Sequence, residues 1–223
     1  MKHRYLREQV VQTARRMSAS GLVTGTSGNV SARTPDGEVL ITPSGLDYGQ
    51  LEPDDLVLVT AEGKVLEGSL KPSSETPMHT GIYRARSEVG AVVHTHARFA
   101  TTLSCLGCPI PPIHYMLATL SNDGRVPLAD YATYGTEELA RFAVEALGDS
   151  HKACLLRNHG TIAVGDDPGE AFARTIVLEE MAEIYYRSRV AGEPVLLTNK
   201  QMVEVATKIT GYGQSKATSA GKE

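Results

Sequence analysis

The chain has no tryptophan, 5% aromatic residues and three cysteines in 223 residues. Three thiols, Cys105, Cys108 and Cys154, are too few and too odd in number for a disulfide scaffold, which points to a reducing compartment, the cytoplasm. No apolar run approaches the roughly 20 residues of a membrane span. The N-terminal stretch MKHRYLREQVVQTARRM interrupts its apolar residues with charge and offers no secretory-signal core. There is no long Lys/Arg run either, and 22 basic against 26 acidic residues give a net charge of −4. That balance argues against a nucleic-acid groove or an anionic membrane surface as partner. What is present is an ordinary globular mixture, 41% hydrophobic and 22% charged, with length enough for one sizeable core.

Leu6, Val10, Ala14 and Met17 recur at helical spacing and Gly21 follows as a C-terminal cap, so a helix is expected over residues 4–19. The period then shortens. Strands are expected at Asn29–Arg33, Val39–Thr42, Leu56–Thr60 and Lys64–Glu67, separated by Pro, Gly and Asp turns. A helix should start near Ser73–Pro77, with Met78, Ile82 and Ala85 inward. Gly90–His96 reads as a buried strand, Thr136–Leu147 as a helix, and Ala153–Leu156 and Thr161–Val164 as two strands joined by Arg157–Gly160. The longest helix is expected from Pro168 to about Val190, and a short one over Lys200–Lys208 precedes Gly211-Tyr212-Gly213 and a polar, disordered tail. Several strand pairs are joined by turns too short for a helical crossover, so a sheet with substantial antiparallel pairing and helices on both faces fits best.

His94-Thr95-His96 is the strongest chemical feature. Residues two apart on a strand project to the same side, so both imidazoles reach one metal ion. An H-x-H pair also occurs as ordinary hydrogen-bonded residues, and the metal reading needs company. His159, at a tight connection between strands, and Glu75, at a helix entrance, supply it: three imidazoles and a carboxylate are the donor set of a zinc-type site. Glu75 has a simpler reading as a first-turn acid that complements the helix dipole. His3, His79, His114 and His151 lack such company and default to surface or core roles. Three turns, Gly25–Asn29, Thr42–Gly45 and Ser73-Ser74, combine glycines with hydroxyls as an anion pocket requires, although each alone is an ordinary turn. No P-loop or dinucleotide fingerprint accompanies them. Cys105-Leu106-Gly107-Cys108 is a lone C-x-x-C, and buried apolar packing is the expectation for all three cysteines. Tyr115 and Tyr212 default to interface or core aromatics.

Taken in order, GTSGNVSAR, LITPSG, PSSE, AVVHTHA, PIPPIHYM, DYATYGT and the HG of RNHG resemble the class II aldolase/adducin family, from the first helix to Tyr212. The resemblance implies an α/β fold: one three-layer α/β/α domain around a mostly antiparallel sheet, residues 1–213, with 214–223 as the tail. It makes His94, His96 and His159 zinc ligands (Mn2+ or Co2+ would serve the same donors), and Glu75 a ligand of the empty site and the acid/base. It makes Gly28, Asn29, Ser44, Gly45, Ser73 and Ser74 the binding positions for a substrate phosphate. Tyr115 and Tyr212 would reach the active site of a neighbouring subunit in a homotetramer with sites at subunit interfaces. The implied activity is that of a metal-dependent aldehyde-lyase acting on a small phosphorylated sugar. L-fuculose 1-phosphate is the first expected substrate, split to dihydroxyacetone phosphate and lactaldehyde. A 5-deoxyribulose or methylthioribulose 1-phosphate aldolase, a dehydratase of the latter, or a pentulose-phosphate 4-epimerase would keep the same site, and a non-catalytic adducin-like module would not need it. Ser44 stands where the family usually has Thr, Tyr134 where it has a pocket Phe, and Gly-Gln-Ser-Lys follows Tyr212.

Overall fold

In the computed structural model, which describes residues 2–209, the first helix α1 (Arg4–Ala19) ends as its sequence requires. Gly21 takes a left-handed conformation, its N–H bonds to the carbonyl of Ser18 at 3.0 Å, and that of Leu22 returns to Met17 at 3.3 Å. Strands β1 (Asn29–Arg33), β2 (Val39–Ile41), β3 (Val57–Val59) and β4 (Val65–Glu67) follow as an antiparallel meander. After α2 (Thr76–Ala85), strand β5 (Ala91–Thr95) returns beside β1. Then come α3 (Arg98–Cys105), the two-residue β6 (Leu128–Ala129), α4 (Glu137–Leu147), the hairpin β7 (Ala153–Leu156) and β8 (Gly160–Gly165), α5 (Pro168–Ala191) and α6 (Asn199–Ile209). The eight strands form one sheet in the order β4-β3-β2-β1-β5-β8-β7-β6, and only the β6–β7 pair is parallel.

Alternation along the strands divides the core into two layers. Val39, Ile41, Val92, Ile162 and Val164 face α2 and α4, where Met78, Ile82, Leu139 and Ala143 are buried against them. Val30, Ala32, Leu40, Ala91 and Val93 face Val10, Ala14 and Met17 of α1 and Phe172 of α5, with α3 beside them on the same face. The central strands are therefore buried on both sides, and their near-continuous apolar runs follow from that. α4 and α5 begin within one residue of the expected starts, each on a side-chain cap: the Thr136 hydroxyl accepts from the N–H of Leu139 at 3.2 Å, and the Asp167 carboxylate from that of Glu170 at 2.9 Å.

Three expectations are corrected. α3 was not anticipated, because nothing local caps it. The N–H groups of Phe99 and Ala100 instead donate to the Glu179 carboxylate of α5, both at 2.9 Å. Only Cys154 is buried; Cys105 is exposed and Cys108 half-buried, because α3 ends at the surface and Gly107 turns the chain there in a left-handed conformation. His3 has company after all, with its Nε2 3.7 Å from Asp36 and 3.8 Å from Glu38. No described helix is long and apolar enough to cross a membrane.

Candidate metal centre and substrate cleft

β5 lies at the middle of the sheet and carries His94, fully buried, to within one residue of the strand end; His96 follows just beyond it. The hairpin between β7 and β8 supplies His159. Leu156 pairs with Gly160 across a three-residue turn, in which Asn158 adopts a positive φ of 53° and aims His159 back at β5. A glycine is needed immediately afterwards, since a Cβ at position 160 would stand 2.8 Å from the ring of His96 and 3.2 Å from that of His94. The three ring centroids are 4.8, 4.9 and 5.2 Å apart. Glu75 occupies the N-cap position of α2, yet its carboxylate caps nothing. It turns to the histidines instead, with Oε2 3.0 Å from Nε2 of His94 and Oε1 3.3 Å from Nε2 of His159. That orientation argues against the dipole-complementing reading.

The donor set fits a divalent cation. The backbone carbonyl of Thr161 is 2.9 Å from Nδ1 of His94, so with the proton on Nδ1 the ring turns its Nε2 lone pair inward. That atom then lies 3.1 Å from Nε2 of His96 and 3.0 Å from the Glu75 carboxylate, a gathering of electron-rich atoms that calls for a proton or a metal ion among them. Glu75 Oε1 is itself buried without a hydrogen-bond partner. Burial, reinforced by the charge on His94, pushes His96 and His159 down to about 4 each, so both rings are neutral ligands at neutral pH. Burial would raise the Glu75 carboxyl, but the facing His94 and His159 and the hydrogen bonds from His94 and Asn29 outweigh it and hold the group well below the usual carboxylate range. Burial opposes the charge on His94 as well, and Glu75 raises its pKa nonetheless.

A cleft of about 290 Å³ opens beside Glu75, His96 and His159, and all six residues expected to bind phosphate line it: Gly28, Asn29, Ser44, Gly45, Ser73 and Ser74. Two of the hydroxyl turns are tied side by side, since Ser44 N–H donates to the Lys71 carbonyl at 2.9 Å and Ser73 N–H to that of Thr42 at 3.1 Å. The third is pressed onto β5. Gly28 has a φ of 75°, and a Cβ there would meet the His94 carbonyl at 2.7 Å, while the buried Tyr48 hydroxyl donates to the Gly28 carbonyl. No Lys or Arg lines this cleft among the described residues, so an anion there would be held by hydroxyls and backbone N–H groups. Tyr134 also lines the cleft, and so do Tyr131, Ala132 and Asn158. Those three were missed; an Asn directly before a turn histidine is the one signal that could have marked Asn158. Tyr115 begins a short 3-10 helix (Tyr115–Thr119), is half-exposed and does not line the cleft of its own chain. Tyr212 and the tail lie outside the described residues.

His79, assigned by default to surface or core, is fully buried directly behind the site. Burial is the main cause, and the charge on His94 a second, that pushes it down to about 3 against the attraction of Glu75. The ordinary value is 6.5. Between those two pH values the unfolded chain binds a proton that the folded protein refuses, so stability falls as pH drops through the window. His79→Gln is expected to remove about 1.4 kcal/mol per pH unit of this dependence. Urea unfolding of both proteins at about pH 6 and about pH 4.5 measures it, and parallel slopes would mean that His79 is protonated in the fold.

The sequence matches the family described as class II aldolase and adducin N-terminal domain over residues 8–186. A 5-methylthioribulose-1-phosphate/5-deoxyribulose-1-phosphate aldolase from Rhodospirillum rubrum is 44% identical, over 94% of this chain and 93% of its own. A 5-deoxy-D-ribulose 1-phosphate aldolase from Bacillus thuringiensis is 42% identical, over 93% and 97%. A solved structure of an L-fuculose 1-phosphate aldolase superposes with a TM-score of 0.90 at 36% identity, covering 94% of this chain and 98% of that one. With the family's sequence, fold and aldolase relatives all matched, the chain belongs to the class II aldolase/adducin family and is a class II aldolase.

Proposed function

We propose that this aldolase is zinc-dependent and cleaves a ketose 1-phosphate to dihydroxyacetone phosphate and a short aldehyde, with 5-deoxyribulose 1-phosphate or its 5-methylthio analogue as the preferred substrate. The observation that carries the reading is one cleft lined by two chemically distinct sets of groups. Glu75, His96 and His159, with the buried His94 against Glu75, are one set, and uncharged hydroxyl and glycine turns are the other. The metal, when bound, supplies a Lewis acid for the negative charge that develops on the ketose carbonyl oxygen as the carbon–carbon bond breaks. His94, His96 and His159 would hold it. Gly28, Asn29, Ser44, Gly45, Ser73 and Ser74 bind the phosphate and so fix the distance from the phosphate to the scissile bond. Glu75, kept as the anion, exchanges the proton at the carbon that becomes the hydroxymethyl of dihydroxyacetone phosphate. Tyr115 and Tyr212 are assigned to the aldehyde end from a neighbouring subunit of a homotetramer; the half-exposed Tyr115, outside its own cleft, suits that role.

The choice of sugar rests on two relatives named for 5-deoxyribulose and 5-methylthioribulose 1-phosphates, 44% and 42% identical to this chain, against 39% for an L-fuculose phosphate aldolase. L-fuculose 1-phosphate, expected first on sequence motifs, is the competing substrate. Its aldehyde, lactaldehyde, carries a hydroxyl that acetaldehyde and methylthioacetaldehyde lack. A panel of the three ketose 1-phosphates with coupled detection of dihydroxyacetone phosphate is expected to give kcat/KM at least about tenfold higher for a 5-deoxypentulose phosphate, the size of a modest pocket preference. Preference for L-fuculose 1-phosphate would reverse the ranking. Water loss or 4-epimerisation without cleavage would overturn the aldol assignment.

A further inference from the structure

Glu75, His79 and Tyr83 recur every fourth residue from the N-cap of α2, and so share one face of the helix. Asn29 and Ser31 are two apart on β1 and share one face of the strand. Where the two faces meet they form a single buried chain of hydrogen bonds. The Asn29 Nδ2 group donates to Glu75 Oε2 at 3.0 Å. Asn29 Oδ1 lies 2.5 Å from Nε2 of His79, Nδ1 of His79 lies 2.6 Å from the Ser31 hydroxyl, and that hydroxyl lies 2.8 Å from the Tyr83 hydroxyl. All four side chains behind Glu75 are buried.

For a neutral ring at His79 and a carboxylate at Glu75, only one arrangement of protons satisfies every link. A carboxylate accepts, so Asn29 must present its nitrogen to Glu75 and its oxygen to His79. Nε2 of His79 must then carry the ring proton, which leaves Nδ1 as acceptor. The Ser31 hydroxyl gives its proton to Nδ1 and accepts that of Tyr83. Reversing the Asn29 carboxamide would set an oxygen against the Glu75 carboxylate and move the ring proton of His79 to Nδ1.

We propose that His79 is a positioning residue for Glu75: its Nε2–H fixes the orientation of the Asn29 carboxamide, which in turn holds the carboxylate toward His94 and His159. The assignment rests on the aldolase reading of Glu75 given above. His79 touches no reacting atom; its effect passes through Asn29. Partners of this kind around metal ligands change metal affinity by about 10–100-fold when removed.

The test reads the ring itself, metal affinity and turnover. Long-range proton–nitrogen NMR of 15N-histidine-labelled protein, with the His79 signal assigned by its loss in His79→Gln, is expected to show a neutral ring protonated at Nε2. Zinc affinity, measured by competition with a chromophoric chelator, should fall about tenfold or more in His79→Leu, and kcat should fall by a similar factor with KM little changed. His79→Gln, which can offer an N–H near the Nε2 position, should recover most of both. A proton on Nδ1 overturns the proposal, and so does equal impairment of the Gln and Leu variants. If His79→Leu fails to fold, the ring tautomer and the His79→Gln values decide alone, and a His79→Gln protein with kcat lowered as far as in Glu75→Gln counts against it. Wild-type protein with the Nε2–H ring and zinc affinity in place but no aldol cleavage would sink the aldolase reading and leave the orientation of Asn29 standing.

Discussion

Glu75→Gln is expected to lower kcat for cleavage by about 10²–10⁴-fold, the range of a positioned acid/base, with KM changed little. The substitution preserves shape and leaves three imidazoles to hold the metal, so it removes a proton acceptor more than a ligand. The fold keeps Glu75 ionised against the pull of burial, through His94, His159 and the amide of Asn29. A neutral amide there neither gives carbon its proton in cleavage nor takes one from it in the reverse direction. Exchange of the hydroxymethyl hydrogen of dihydroxyacetone phosphate with deuterated solvent, in the absence of aldehyde, should disappear along with turnover. Metal content near wild type and an unchanged melting temperature would confine the loss to chemistry. Turnover within about fivefold of wild type would remove the acid/base role.

The second large effect concerns the metal. Removal with a chelator is expected to abolish cleavage, and zinc to restore it at about one ion per chain. His159→Ala should bind zinc at least about tenfold more weakly and lose about 10³-fold or more in kcat/KM at limiting metal. The physical reason lies in the cluster: without a cation, electron-rich atoms 3.0 to 3.3 Å apart must be kept apart by protons, and His96 and His159 resist protonation until about pH 4. A folded His159→Ala protein with full metal content and activity would exclude His159 from the centre. Full activity after exhaustive chelation, with no divalent ion detectable, would exclude the Lewis-acid mechanism.

Much of this molecule is written locally. The α1 cap at Gly21 and the proline that opens α5 depend on residues close in sequence, and the starts of α1, α4 and α5 were legible to within a residue or two. The H-x-H pair was legible for the same reason, since a period of two already sets both rings on one side. Motif order carried the other candidate ligands and the candidate phosphate turns, because the spacing of these short segments identifies the family although none is decisive alone.

Other features depend on partners far away in the chain. α3 is capped by a carboxylate about 80 residues downstream, so no local signal announced it. The competing roles of Glu75, helix-dipole acid or companion of the histidines, differ only in where the carboxylate points, and the approach of β5 and the β7–β8 turn to α2 decided that. His79 looked like any isolated histidine, although its spacing of four from Glu75 and Tyr83 was present throughout. Its significance appeared once β1 set Asn29 and Ser31 against that helix face. The sequence by itself determined most of the elements, the donor types and the family. The tertiary structure decided which donors converge, because a hydrogen bond or a shared metal is a relation between side chains that only folding brings within about 3 Å.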